Sequence, residues 1–149
     1  MPIAEYDIAR CLEPLDSPLM NGFVDSVEHV FALAESSTGF IWRSNGDENN
    51  AESFLIDDDP LMLENLSVWV STTDLHNFLY RTNHVSYLKR GSEWFSPMTV
   101  TKVALWYVEP GHQPSIEEGR ERLQYLQKHG DTDTAFGLKR RSFFEPKNN

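Results

Sequence analysis

The strongest constraint on this chain is the order in which two hydrophobic periods follow one another along it. Residues 5–12 alternate every second position. Tyr6, Ile8, Arg10 and Leu12 fall on one side and Asp7, Ala9 and Cys11 on the other, which predicts a strand. Over residues 18–37 the spacing changes: Met20, Phe23, Val24, Val27, Val30, Phe31 and Ala34 recur as on one face of a helix about 30 Å long. Asp16 or Ser17 suits its cap and Pro18 its first turn. Gly39 closes the helix, and residues 40–43 begin a second strand. Asn45-Gly46-Asp47 signals a turn, after which residues 51–56 read as an extension or a hairpin partner.

Residues 64–70 alternate again, with Leu66, Val68 and Val70 opposed to Asn65, Ser67 and Trp69. Ser71, Thr72 or Thr73 caps a helix over residues 74–81. A further helical stretch over 83–90 runs until Gly91 stops it. Residues 99–108 form the last strong strand. Ser115 then caps a helix over 116–129, with Glu117 and Glu118 in its first turn and Gly130 at its end. Residues 135–144 are one more strand or an ordered tail, and 145–149 fray. The order β-α-β-β-α-β is that of an α+β, ferredoxin-like antiparallel sheet with two helices on one face, here with an extra C-terminal helix and tail. The 149 residues make one domain, 1–149, long enough to bury about 70% of the surface of the unfolded chain. The second sheet face also needs cover, which a homodimer packing two sheets together supplies.

Charge removes several functions. A net charge of −10 and a pI near 4.8 oppose nucleic-acid binding, which needs a basic surface. No apolar run is long enough to span a bilayer, and the N-terminus lacks a secretion pattern, so a cytoplasmic chain is expected. The lone cysteine, Cys11, rules out an internal disulfide and reads as a small buried hydrophobe. His29, His76, His84, His112 and His129 share no metal-ligand spacing, so no metal or cofactor is expected. Asp57-Asp58-Asp59-Pro60 reads as a solvated acidic turn rather than a cation loop.

Two groups of residues suit a ligand site. On a continuous helix, His76, Tyr80, Asn83, His84 and Tyr87 cluster beside an apolar stripe, forming a pocket wall or merely a polar flank. Trp42, Trp69, Trp94 and Trp106 either line a cavity between sheet and helices or fill the core and a dimer contact. Asn65 and Ser67 are polar in a strand built for burial, so they need partners in the protein or in a ligand.

The chain resembles a bacterial family of domains of unknown function within the superfamily of antibiotic-biosynthesis-monooxygenase-like dimeric α/β barrels. The resemblance is carried by Asp7-Ile8-Ala9-Arg10, Ala32-Leu33-Ala34-Glu35 and Gly39-Phe40-Ile41-Trp42-Arg43. It continues through Asn65-Leu66-Ser67-Val68-Trp69, Tyr80-Arg81 with His84, and Glu93-Trp94-Phe95. Leu105-Trp106-Tyr107-Val108, Pro110-Gly111-His112 and Ala135-Phe136 complete it. It implies a homodimer with a pocket between each sheet and its helices, and a small enzyme, monooxygenase-like or an isomerase or cyclase, acting on an aromatic or polyketide-like molecule without cofactor. A non-catalytic dimeric binder of a small aromatic or apolar ligand is the alternative, and an interaction protein without a pocket a third. Carried over, the resemblance makes His84 the base and Tyr80 the group that orients a substrate hydroxyl. Arg81 holds an enolate or carboxylate, and Asn65 and the four tryptophans shape the pocket. Phe31 stands where the resemblance implies an asparagine, giving a more apolar pocket or an altered chemistry.

Overall fold

A computed structural model describes residues 1–44, 55–56, 59–82 and 89–140. Strand β1 spans Ile3–Arg10, and a 3-10 turn at Pro18–Met20 leads into helix α1, Asn21–Glu35. Strands β2 (Phe40–Arg43), β3 (Leu55–Ile56) and β4 (Asp59–Trp69) follow, then helix α2 at Thr72–Arg81 and the single turn α3 at Gly91–Trp94. Strand β5 (Val103–Tyr107), helix α4 (Ile116–His129) and a 3-10 turn at Leu138–Arg140 complete the described chain.

The strands lie in the order β2-β4-β1-β5, with β3 also paired to β4, and every pairing is antiparallel. That is the ferredoxin-like order expected from the sequence, with β1 and β4 at the centre. Serine caps α2 and α4, whereas α1 has no side-chain cap. Ser71 Oγ accepts from the Asp74 N–H and Ser115 Oγ from the Glu118 N–H, each at 3.1 Å. Gly39, with φ of +85°, turns the chain out of α1, and Asp74 occupies the space a side chain there would need.

Register sorts the sheet into two faces. One carries Ile3, Glu5 and Asp7 of β1 beside Trp69, Ser67 and Asn65 of β4, and lies under α1 and α2. The other carries Ala4, Tyr6, Leu66, Val68, Ala104 and Trp106, and lies under α4, whose Leu123 and Leu126 pack into it. Here the structure corrects the reason given for a dimer. The second face is covered by the chain's own C-terminal helix, and Ala4, Leu66, Ala104 and Trp106 are already fully buried without a second sheet. The helix sits close because Gly119 lies against the Tyr6 ring. It is tied down by Arg120, which donates to Glu64 Oε1 at 3.0 Å and Oε2 at 2.6 Å, while the Tyr6 hydroxyl donates to Glu64 Oε1 at 2.8 Å. Burial, then this carboxylate, push the Tyr6 phenol above the ordinary tyrosine range.

Other expectations shift at their ends. Asp59 and Pro60 open β4 instead of lying in an acidic turn, and Asp57 and Asp58 fall outside the described residues. Asp59 accepts from the Leu61 N–H and pairs with Arg10, both at 2.9 Å, which holds its carboxyl below the usual range. Val70 leaves the strand and is exposed. Lys89 is helical and Arg90 a turn, after which Gly91 opens the separate turn α3; residues 83–88 of the helix expected before it lie outside the described residues. The last strand is confined to Val103–Tyr107. Of the strand or ordered tail expected over 135–144, the described part holds an isolated bridge from Phe136 to Leu105 and then the 3-10 turn at Leu138–Arg140. Residues 141–149, including the expected frayed end, also lie outside the described residues. Cys11 is buried among Leu15, Met20 and Trp94, and burial raises its thiol. Among the described residues no helix is long and apolar enough to cross a membrane.

Candidate functional site: a cavity between the sheet and helices α1 and α2

Helices α1 and α2 do not close completely onto their sheet face. They leave a cavity of about 360 Å³, within the range of small-molecule pockets. Phe23, Val27, Val30 and Phe31 of α1 form one wall and Leu75 and Phe78 of α2 another, with Trp94 among the lining residues. Trp69 of β4 stacks on Phe78 with centroids 5.0 Å apart and meets Phe40 edge-on at 5.4 Å. The walls thus mix aromatic and aliphatic side chains, and the ring contacts help to hold their shape.

The floor is different. Glu5 lies directly across from Ser67 and Asp7 directly across from Asn65, so four polar side chains form a square on two central strands. Trp69 Nε1 donates to Ser67 Oγ at 3.0 Å, and Ser67 Oγ donates to Glu5 Oε2 at 3.4 Å. Glu5 is only 7% exposed. Burial, then the neighbouring charge and hydrogen bond of Asp7, push its carboxyl well above the usual range. Asn65 Oδ1 is buried and has no hydrogen-bond partner among the described residues. Arg43 enters from β2, its guanidinium 2.9 Å from Glu35 and 4.1 Å from the centre of the Phe31 ring. Phe31 therefore both makes the wall apolar and packs against a buried cation.

The structure distributes the expected site residues unevenly. Asn65, Trp69 and Trp94 line the cavity. Tyr80 stands at the rim, 43% exposed, with its ring 4.6 Å from that of His76. Arg81 is exposed in the last turn of α2, where a cation complements the helix dipole, and is not among the lining residues. His84 lies outside the described residues.

Trp42 and Trp106 are corrections: both pack on the opposite sheet face, against the α4 side of the core. Trp106 pairs with Ala4 and gives its indole N–H to Glu118 at 2.9 Å. Trp42 would share the side of Phe40 in a regular strand. An irregularity between them leaves Ile41 exposed, turns Trp42 over and brings Arg43 to the cavity instead. Sequence reading does not single out Glu5 and Asp7. The available signal is their spacing of two on what proves to be a central strand, buried on both sides.

Fold and site together define a ferredoxin-like α+β fold with a cavity between its sheet and its helices α1 and α2. The chain belongs to the family described as domain of unknown function DUF3291, which matches residues 2–149. No curated protein matches it. Among solved structures it is similar to SnoaB, a cofactor-independent oxygenase from Streptomyces nogalater, with a TM-score of 0.52 and 10% identity over 72% of this chain and 93% of SnoaB. A candidate antibiotic biosynthesis monooxygenase from Chloroflexus aurantiacus J-10-fl gives a TM-score of 0.48 and 15% identity, over 76% of this chain and 98% of that one. The likeness to SnoaB is one of fold, and it agrees with the ferredoxin-like fold expected from the sequence.

Proposed function

We propose that this chain is a small enzyme acting on an aromatic or polyketide-like molecule bound in the cavity, in the manner of a cofactor-independent oxygenase. The observation that carries the reading is the mainly apolar cavity with the buried Asn65 Oδ1 at its floor, which has no hydrogen-bond partner among the described residues. Such walls hold a planar ring by burial and ring contacts, and the floor orients one edge of it. Excluding water from the ring strengthens every interaction with charge that develops on it.

In this proposal His84 is the base that removes a substrate proton. Tyr80, at the rim, orients a hydroxyl, and Arg81 holds an anionic group of a ligand that reaches past the mouth. The electron pair left on carbon then attacks dioxygen. Overall, a ring CH₂ and O₂ give C=O and H₂O, with one oxygen atom going to carbon and the other leaving with the two hydrogens. A homodimer remains part of the proposal on likeness of fold alone, and sedimentation of the purified chain decides it. A cytoplasmic setting is proposed on the single buried thiol.

Oxygen uptake on a panel of hydroxyarenes and anthrones tests the reading. Saturable uptake that His84→Ala lowers about 100-fold supports it; uptake unchanged in that variant removes the base. Saturable binding with no uptake establishes the second reading, a non-catalytic binder. The same floor favours that alternative, since Glu5, Ser67 and Asn65 orient a ligand without activating it.

A further inference from the structure

Register and packing divide the cavity along its length into apolar and polar parts. Paired rows of β1 and β4 cross its floor in the order Ala9 with Leu63, Asp7 with Asn65, Glu5 with Ser67, and then Trp69. The outer rows are apolar and the two between them are polar. At a rise of about 3.3 Å per residue, Leu63 and Trp69 stand about 20 Å apart along the strand.

The walls repeat this division. Over the Leu63 end lie Phe23, Val27 and Trp94, packed in one core cluster. Over the Trp69 end lie Phe40, Leu75 and Phe78, packed in another. The Phe23 ring is 5.8 Å from Trp94 and 5.0 Å from Phe95, so the Leu63 end has an aromatic group of its own, as the Trp69 end has in Phe40 and Phe78. Helix α1 runs from one cluster to the other, with Phe23 in the first and Ala34 in the second, about 16 Å apart along the helix axis.

A ligand lying along the cavity therefore meets apolar side chains at both ends and polar ones at its middle. Within that middle, Ser67 is already held by the Trp69 N–H and by Glu5. Asn65 is the floor residue whose buried Oδ1 has no hydrogen-bond partner among the described residues, and its amide can both give and take a hydrogen bond. A polar group placed over either end would exchange water for hydrocarbon with nothing in return.

We infer that the cavity selects an elongated ligand with an apolar body at both ends and a polar group at its middle, and that Asn65 is the specificity-determining residue that meets that group. This rests on the proposed function in placing the ligand in this cavity, and adds where along the ligand its polar group stands.

Quenching of tryptophan fluorescence reads the binding, since Trp69 and Trp94 line the cavity. The probes are two isomers of hydroxymethylanthracene, one substituted on the central ring and one on a terminal ring. The central isomer is expected to bind about tenfold more tightly than the terminal one. Asn65→Leu, close in size, is expected to bring the central isomer down to the affinity of the terminal one. Phe23→Ala and Phe78→Ala are each expected to weaken the central isomer several-fold, because it touches both ends; a ligand confined to one end responds to one of them alone. Equal affinity for the isomers, preference for the terminal one, or a response to only one alanine variant overturns the inference while the cavity reading stands. The isomer comparison on the parent protein needs no variant, so it decides even where an alanine form fails to fold. If neither isomer binds, the cavity reading itself fails and takes the inference with it.

Discussion

Gly119 has no side chain for a reason that can be located: a Cβ there would lie 2.6 Å from Cδ2 of Tyr6. Gly119→Ala forces α4 away from the sheet or displaces a fully packed tyrosine. The expected cost is about 1–3 kcal/mol, read as a lower urea midpoint at unchanged slope. Glu5 makes a different prediction. Its carboxyl, ordinarily near 4.5, is held well above that value by burial and then by Asp7. Below pH 4.5 the folded and unfolded states both carry the proton. As pH rises further the unfolded chain releases it while the folded chain keeps it, so stability falls until the folded group also ionises. Glu5→Gln removes this slope, and unfolding measured from pH 4.5 to pH 8 is expected to show a variant whose advantage over the parent grows with pH. A constant difference across that range would place the ionisation elsewhere. Residues of this kind are only half legible in a sequence. Asn65 and Ser67 betray themselves as polar positions in an apolar strand. Glu5 sits at what reads as a strand start, and its burial follows only once β1 is known to lie between β4 and β5.

Elements were readable where local chemistry fixes them. Ser71 and Ser115 stand ahead of their helices and cap them, and the apolar stripe of α1 lies under the sheet as its period requires. They were unreadable where long-range pairing decides. The irregularity at Ile41 and the early start of β4 at Asp59 both depend on neighbours distant in sequence. The attachment of α4 is also long-range, through Glu64 and Arg120. Glu64 is nearly enclosed while Arg120 is partly in solvent, so Arg120→Ala leaves a buried carboxylate held by Tyr6 alone. The expected loss is about 1–3 kcal/mol after allowing for solvent screening, with Arg120→Lys intermediate because one point charge replaces a two-pronged contact. Thermal unfolding of the three proteins side by side measures it, and an alanine variant as stable as the parent would show the clamp to be idle.

For the molecule as a whole, α4 substitutes for a second subunit on one side of the sheet. Ending the chain at Pro110 would uncover Tyr6, Leu66, Val68 and Trp106 together, an apolar area too large to stand in water. The shortened chain is expected to bind hydrophobic dyes and to sediment as aggregates or as a new dimer. A monomer that still unfolds cooperatively would show that the face needs no cover. The need for cover was evident from the sequence, but the identity of the cover was not, because an amphipathic C-terminal helix and a twin sheet satisfy the same requirement.

Cys11 carries a practical consequence of its position. The thiol is 1% exposed and its ionisation is suppressed by burial, so the native chain resists iodoacetamide. Alkylation then waits for the structure around β1 to open, and with one sulfhydryl in the sequence each labelled chain records one opening. Mass spectrometry of the untagged polypeptide, quenched at intervals, becomes a clock for that breathing without any engineered reporter.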